Sequence, residues 1–437
     1  MATDRGARGA KLQVALDFMN LPRAMKAAEA AVKGGAEILE AGTPLIKAEG
    51  LNAVRELRAK FPDLRIVADM KTMDAGRAEM EMAAKAGADL AVVLGAAADS
   101  TIRECIKAGE NYGIEVGVDM IGVTDVAARA KQCQEWGASV IGLHHAIDEQ
   151  MQGTGDPLSR LRAVRPVVSV PIAFAGGLNS ETVVDAMEAG ADVLIVGGAI
   201  IKSADPEKAT REIIRALATG KPVESALYHR VDASRVREIL EKVSTANISD
   251  GNHRQPMLEG LRPVSPGLKM VGRAVTVRTY PGDWAKPVEA IDVAEPGDVI
   301  VIDAGGVEPA VWGELATHSC KAKQVAGVVI HGAIRDTTDI RDMGFPAFAR
   351  IVTGCAGEPK GLGEINVPIT ISGIRIRPGD WVVGDDDGVI VLPQNEAVEI
   401  TNRAMDCLER ENRIRAEIDS GKTTLASVME LLKWEKK

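Results

Sequence analysis

Four stretches of the chain repeat one phrase: GGAEILEAG (34–42), AGADLAVVLG (86–95), WGASVIGLH (136–144) and AGADVLIVGG (189–198). In each, a helix-periodic segment ends on a glycine suited to a left-handed C-cap. A short apolar run follows, of the kind shown by a strand buried on both faces. The glycines Gly35, Gly87, Gly137 and Gly190 are 52, 50 and 53 residues apart, too far for one strand–helix unit and right for two. Intermediate strands are predicted at Leu12–Asp17, Arg65–Asp69, Ile114–Asp119 and Val170–Ala175. Asp205-Pro206-Glu207 opens the last helix with a capping residue, a proline at N1 and an acid in the first turn. Eight parallel βα units in about 210 residues predict a (β/α)8 barrel, and the even period favours closure over a doubly wound open sheet.

A barrel of this kind carries its chemistry at the C-terminal ends of its strands. Read in order, those ends are Asp17, Glu40, Asp69 with Lys71, Asp119, His144, Gly176-Gly177 and Gly197-Gly198. Singly, such an acid is a helix cap, a glycine pair is a tight turn, and His144 beside His145 is surface polarity. Their arrival at one rim argues for a site. Asp69-Met70-Lys71-Thr72-Met73-Asp74, a D-x-K-x-x-D directly after the third strand, is the sharpest signal. Alternate strand residues share a face, so Asp69 and Lys71 are expected to point the same way. A lysine among carboxylates stays protonated and can stabilise an oxyanion. The two glycine pairs can bind phosphate through backbone N–H groups.

After Leu217 the periodicity lapses around Gly220 and Pro222, so residues 220–232 are expected to link a domain at 1–219 to one at 233–437. Asp232 is expected to cap a helix, ASRVREILEKV. Beyond it, short alternating strands are predicted at Val271–Val277, Val299–Asp303, Gly327–His331, Ala347–Ile351, Ile369–Ile376, Trp381–Val383 and Val389–Leu392, with helices at Glu396–Ile418 and Leu425–Trp434. This is a mixed α/β domain. Its chemistry lies in Trp312-Gly313-Glu314-Leu315-Ala316, a glycine turn opening a helix whose N–H groups could meet a carboxylate, and in Gly332-Ala333-Ile334-Arg335-Asp336. Arg335 can grip a carboxylate bidentately, and Asp336 can hold a hard metal ion or simply cap a helix.

Composition removes some classes of function. With 52 basic and 62 acidic residues the net charge is −10, which argues against general binding of nucleic acid or anionic membrane. Apolar runs such as Leu90–Leu94 are far short of the ~18 residues of a membrane span. MATDRGARGAKLQ lacks the apolar core of a signal peptide. Cys105, Cys133, Cys320, Cys355 and Cys407 are odd in number and scattered, which fits a reducing, cytoplasmic setting.

Residues 11–217 resemble the orotidine 5′-phosphate decarboxylase superfamily through D-x-K-x-x-D, and its 3-hexulose-6-phosphate synthase branch through LQVALDF (12–18), ILEAGTPLI (38–46), VADMKTMDAG (67–76) and HHAIDEQ (144–150). The resemblance implies that Glu40 and Asp69 hold Mg²⁺ or Mn²⁺ and that Asp17, Lys71 and His144 line the reacting carbon. Asp74 would reach the neighbouring site of a dimer, and Gly176, Gly177, Gly197 and Gly198 would hold phosphate. The implied reaction joins formaldehyde to ribulose 5-phosphate, or reverses that step. Ile147 stands where the keto-gulonate phosphate decarboxylase branch has arginine, and Glu40 separates the chain from the orotidine decarboxylases. Decarboxylation or epimerisation of a sugar phosphate is the alternative.

From about Val243 to Lys433 the chain resembles the regulator-of-ribonuclease-E-activity-A-like family, which includes 4-hydroxy-4-methyl-2-oxoglutarate aldolases. STANISD (244–250), GRAVTV (272–277), PGDVIVIDAGG (296–306), WGELA (312–316) and GAIRD (332–336) carry the likeness. It implies a swivelling β/β/α fold assembled as a trimer or hexamer. Arg335 and Asp336 would hold pyruvate and a divalent metal, and the backbone of Gly313, Glu314, Leu315 and Ala316 would meet a carboxylate. A non-enzymatic binding module of the ribonuclease-regulator kind is the alternative.

Overall fold

The computed structural model describes residues 9–145, 151, 156, 158–225, 231–421 and 423–429. The chain divides into two compact units, the first ending at Tyr228 and the second beginning at His229, with Met151 grouped with the second. Among the described residues no helix is long and apolar enough to cross a membrane.

In the first unit β1 (Lys11–Leu16), β2 (Ile38–Ala41), β3 (Arg65–Thr72), β4 (Leu90–Leu94), β5 (Glu115–Asp119), β6 (Val140–His144), β7 (Ile172–Ala175) and β8 (Val193–Val196) close into a barrel in sequence order. All eight predicted strands are present, and β1 pairs in parallel with both β2 and β8. The four glycines of the repeated phrase share one backbone state, with φ of 104°, 95°, 106° and 108° at Gly35, Gly87, Gly137 and Gly190. A side chain is strained there, so glycine turns each helix into the next strand. The final helix spans Pro206–Thr219, and the Asp205 side chain accepts from Lys208 N at 3.0 Å as its cap.

Strand parity layers the barrel interior. Ile38, Val67 and Leu90, with Val92, Val140 and Val193, form a separate apolar cluster. Two residues further along β2 and β3 come Glu40 and Asp69, and four further along β6 comes His144. The period of two thus stacks a polar layer above an apolar one. β3 departs from regularity at the top: Ala68 pairs with Ala91 and Thr72 with Val93, so four residue steps on β3 face two on β4. Lys71 adopts φ 44° within that bulge. The expected common direction of Asp69 and Lys71 is therefore reached through a bulge rather than through simple alternation.

In the second unit β9 (Arg262–Pro263), β10 (Met270–Arg278), β11 (Val299–Asp303), β13 (Gly327–Ile334), β14 (Ala347–Val352), β18 (Trp381–Asp385) and β19 (Gly388–Leu392) run in the order β19-β18-β10-β11-β13-β14-β9. β12 (Ala310–Trp312) joins β13, and β15 (Glu364–Ile365) joins β10. The sheet is mixed: β10, β11, β13 and β14 are parallel, whereas β18 is antiparallel to β10. Several strands are buried throughout rather than alternating, because one face packs on Ile302, Ile330 and Ala349 and the other on Val301, Val329 and Phe348. The stretch predicted as one strand at Ile369–Ile376 is a hairpin, β16 (Ile369–Ile371) with β17 (Ile374–Ile376).

Asp232 does not cap the following helix. It accepts from Ser234 N in a turn, and the helix begins at Val236. Ile147 and the rest of the HHAIDEQ phrase beyond His145 lie outside the described residues, as does Trp434.

Candidate active site

The rim of the barrel gathers the residues that end its strands. Lys71 Nζ lies 3.0 Å from Asp69 Oδ2 and 3.0 Å from Asp119 Oδ2. Burial works against the charge of Lys71, but the two carboxylates outweigh it and hold the ammonium above its ordinary pKa. Asp119 is buried, which pushes its carboxyl up, yet His144 and Lys71 hold it below the usual range. His144 Nδ1 stands 3.9 Å from Asp119 Oδ2, longer than a hydrogen bond, so Lys71 is the stronger partner. Ile121 N donates to Asp119 Oδ1 at 3.0 Å and fixes the carboxylate.

Glu40 and Asp69 are buried side by side on β2 and β3. Burial pushes the Glu40 carboxyl well above its ordinary pKa, and Asp69 and Asp17 push it further; the Gln13 amide and Lys71 only partly offset this. Gln13 Nε2 donates to Glu40 Oε2 at 2.5 Å, and Thr43 Oγ1 donates to Asp69 Oδ2 at 2.7 Å. Asp17 follows β1 and is exposed, and its carboxylate oxygens stand against the backbone of Gly42 and Gly197. Burial and Asp69 raise its pKa, against Lys71, His144 and Lys202. An all-oxygen donor set with excess buried negative charge fits a hard divalent cation, with two carboxylates as ligands and the rest from substrate and water. Gly42 is moulded to this arrangement, since a Cβ there would collide with Asp17 Oδ1.

On the other side of the rim Gly176 and Gly177 adopt φ of 117° and 66° after β7. Gly197 follows β8, and a Cβ there would meet Asp17 Oδ2 at 3.3 Å. Gly198 opens the short helix Gly198–Ile201, and the Lys202 stem passes 3.6 Å from where a Gly198 Cβ would stand. Asp74 is not part of this rim cluster. It is exposed and lines a groove of about 490 Å³ with Arg77, Glu81, Ser100, Thr101 and Glu104, at the start of the helix Gly76–Ala86.

Gln13, Thr43 and Lys202 are rim residues that the sequence reading missed, and Asp119, placed at the rim by that reading, gains its pairing with Lys71 only from the structure. Gln13 shares parity with Asp17 on β1, which is a usable signal. Lys202 carries none, because only the fold brings its helix to the mouth.

In the second unit Gly313 precedes the helix Glu314–Ala322, as expected of a glycine turn. Asp336 stands at the cap position of the helix Thr337–Asp342 with φ 55°, but its side chain makes no cap bond there. Its Oδ2 instead accepts from Glu314 N at 3.2 Å, and Arg335 Nε lies 3.4 Å away. The helix-capping reading of Asp336 is thereby corrected: the carboxylate serves the Gly313-Glu314 turn. A Cβ on Gly313 would stand 2.6 Å from Asp336 Oδ2, so glycine is required for the approach. Glu314 pairs with His318 at 3.0 Å, and Leu315 is 76% exposed.

Among the described residues one trio of donor side chains has its ligand atoms within 4.8 Å of one another: Asp250, Cys407 and Glu411. Each is already engaged, Asp250 by Arg254, Glu411 by Asn247 and Cys407 by Arg410. Burial also raises the Cys407 thiol pKa.

A closed parallel barrel with a lysine–carboxylate cluster at its C-terminal rim, followed by a mixed-sheet domain, defines a two-domain barrel enzyme. Residues 10–213 match the orotidine 5′-phosphate decarboxylase / HUMPS family, and residues 245–391 match the RraA-like family, described as Aldolase/RraA. The chain is 43% identical over 208 residues to 3-hexulose-6-phosphate synthase of Mycobacterium gastri, spanning all of that protein and 48% of this chain. It is 41% identical over 202 residues to the synthase of Methylomonas aminofaciens, spanning 96% of that protein and 46% of this chain. A crystal structure of 3-hexulose-6-phosphate synthase from Salmonella typhimurium matches at 40% identity with TM-score 0.46, covering 99% of that chain and 48% of this one. The chain therefore belongs, through its N-terminal half, to the 3-hexulose-6-phosphate synthase family of barrel lyases.

Proposed function

We propose that the barrel joins formaldehyde to C1 of ribulose 5-phosphate, forming 3-hexulose 6-phosphate, or runs the reverse. The reading is carried by Lys71 held between Asp69 and Asp119, beside the buried pair Glu40–Asp69. Glu40 and Asp69 are the residues to hold Mg²⁺ or Mn²⁺, which when bound polarises the sugar's oxygens and eases loss of the C1 proton. Lys71, kept protonated by its two carboxylates, donates to the oxygen on which negative charge develops. Asp17 lies in the same electrostatic neighbourhood as Lys71 and His144 and orients the sugar hydroxyls. His144 carries the proton that leaves C1 to the formaldehyde oxygen as the C–C bond forms, so the proton lost by the sugar is the one the new hydroxyl gains. The glycines at 176, 177, 197 and 198 receive the phosphate through backbone N–H groups. Lys202 adds the side-chain charge that glycines cannot supply. Asp74, exposed on the flank, reaches a second copy in a barrel dimer.

The test is formaldehyde consumption by the purified full chain with Mg²⁺. It should require ribulose 5-phosphate and vanish in Asp69→Ala; no consumption by the wild type sinks the reading and leaves decarboxylation of a sugar acid phosphate as the alternative.

For the second unit we infer a metal-dependent lyase acting on a small oxoacid. Asp336 turning away from its own helix toward the Gly313-Glu314 turn supports this. Asp336 would hold the divalent cation, Arg335 and the N–H groups of residues 313–316 the carboxylate, in a trimeric or hexameric assembly. Mg²⁺-dependent release of pyruvate from oxaloacetate, absent in Asp336→Ala, is the expected result. A wild type without such release favours a binding module of the ribonuclease-regulator kind.

A further inference from the structure

A row of charged side chains crosses the second sheet in register. Glu364 on β15 pairs with Arg278 on β10, Arg278 with Asp303 on β11, and Asp303 with His331 on β13. Ile330 pairs with Ala349, which places Arg350 of β14 next in the row. Five strands thus contribute the sequence acid, base, acid, imidazole, base along one face. The residues come from positions up to 86 apart, since Arg278 and Glu364 bond directly.

The right-hand part of the row has the form of an oriented base beside an anion grip. His331 Nδ1 lies 2.8 Å from Asp303 Oδ1, and Gly305 N donates to the same oxygen at 3.2 Å. His331 Nε2 lies 3.2 Å from Arg350 Nη1. An arginine only donates, so Nε2 is the acceptor there and the ring proton sits on Nδ1, facing Asp303. The backbone is shaped around the ring. Gly306 has φ 72°, and a Cβ on it would stand 2.7 Å from His331 Nε2 and 3.0 Å from Arg350 Nη1. The β13–β14 register shifts immediately after this point, between Ile330 and Ala333, as bulges beside functional groups do.

Charge bookkeeping along the row leaves Arg350 as the one open cation. Arg278 is matched by Glu364, Asp303 is taken by the imidazole, and Arg350 is exposed with, among the described residues, only the His331 ring nitrogen against it. A guanidinium fork is suited to an oxyanion. An anion seated on Arg350 would stand opposite Nε2 as well, within reach of both the guanidinium and the ring. None of these side chains touches Arg335, Asp336, Gly313 or Glu314 in the contacts described above.

We propose that Arg350 and His331 form a seat for the oxyanion of a small metabolite, a carboxylate or a phosphate, separate from the Arg335–Asp336 site. On binding, the anion draws the Arg350 guanidinium and His331 Nε2 takes one proton from solvent, giving an imidazolium held between Asp303 and the ligand. Asp303 is the positioning residue.

The chain has six histidines, so full-length protein labelled with ¹⁵N-histidine resolves them, and His331→Gln assigns the signal. Pyruvate and inorganic phosphate are the two probes, titrated separately. The expected result is a saturable move of the His331 Nε2 resonance toward its protonated position, with whichever probe moves it naming the carboxylate or phosphate source. The move should persist in Asp336→Ala and disappear in Arg350→Gln, whose melting temperature stays that of the wild type. No response to either probe overturns the proposal. So does a response abolished by Asp336→Ala, which would put the anion at the other site, or one retained in Arg350→Gln.

Discussion

Lys71 reaches across the barrel mouth to Asp119, with Nζ 3.0 Å from Oδ2, although the two residues stand 48 apart on strands β3 and β5. The contact gives the motif lysine a second carboxylate that D-x-K-x-x-D does not contain. It also ties the pKa of the lysine to that of an acid below the usual range.

Replacing Lys71 by Ala should lower kcat by about 10²–10³-fold, the size of loss seen when one oxyanion donor is removed. Asp119→Asn should cost kcat less, and stability about 1.5 kcal/mol, because Lys71 loses one charge-assisted hydrogen bond and keeps Asp69. Steady-state kinetics and urea denaturation of both variants check the split. Equal loss of activity in both would mean that Asp119 does more than hold the lysine.

The raised pKa of Glu40 makes a prediction about pH. A carboxyl whose folded pKa lies above its unfolded value stabilises the fold when protonated. That contribution fades as pH rises from about 4.5 through the folded value. Without metal, Glu40→Gln should therefore melt at a higher temperature than the wild type near neutral pH. Mg²⁺ needs the ionised form, so its stabilisation of the wild type should grow with pH over the same window and be absent in Glu40→Gln. Calorimetric scans with Mg²⁺ and with EDTA read both effects.

Gly42→Ala should leave the barrel folded, because φ is −65° at this position and alanine adopts it freely. Its methyl collides with Asp17 Oδ1 and drives the carboxylate aside. A displacement of about 1 Å costs roughly 10²-fold in kcat/KM. Circular dichroism should be unchanged while sugar-phosphate turnover falls; retained turnover would remove Asp17 from the mechanism.

Gly313→Ala tests the second unit in the same way. A Cβ at 2.6 Å from Asp336 Oδ2 must displace that side chain. Pyruvate release from oxaloacetate should fall roughly 10²-fold, with barrel activity intact. Parallel assays on one preparation make the comparison.

The barrel was legible in advance because its strands are local events. A glycine that ends a helix and an apolar run that follows it are neighbours in the chain, so four copies at even spacing announce eight units before any contact is known. Parity then places Glu40 above Ile38 and Asp69 above Val67. The second unit was less legible. Its sheet is covered on both faces, so Val299–Ile302 and Gly388–Leu392 are buried throughout and show no alternation. The shortest strands, Ala310–Trp312 among them, carry too few residues for any period.

The sequence by itself determined the repeated βα unit, the closed barrel, the rim acids and the D-x-K-x-x-D motif, all of which are set by local periodicity and chain-neighbour chemistry. Only the tertiary structure decided which of them meet: Asp119 with Lys71, Gln13 with Glu40, Asp336 with the Gly313-Glu314 turn rather than its own helix, and Asp303 with His331 and Arg350. The reason is register. Whether two distant side chains come within 3 Å depends on how strands slide, bulge and turn against one another, and that is settled by packing over the whole sheet, which no local pattern records.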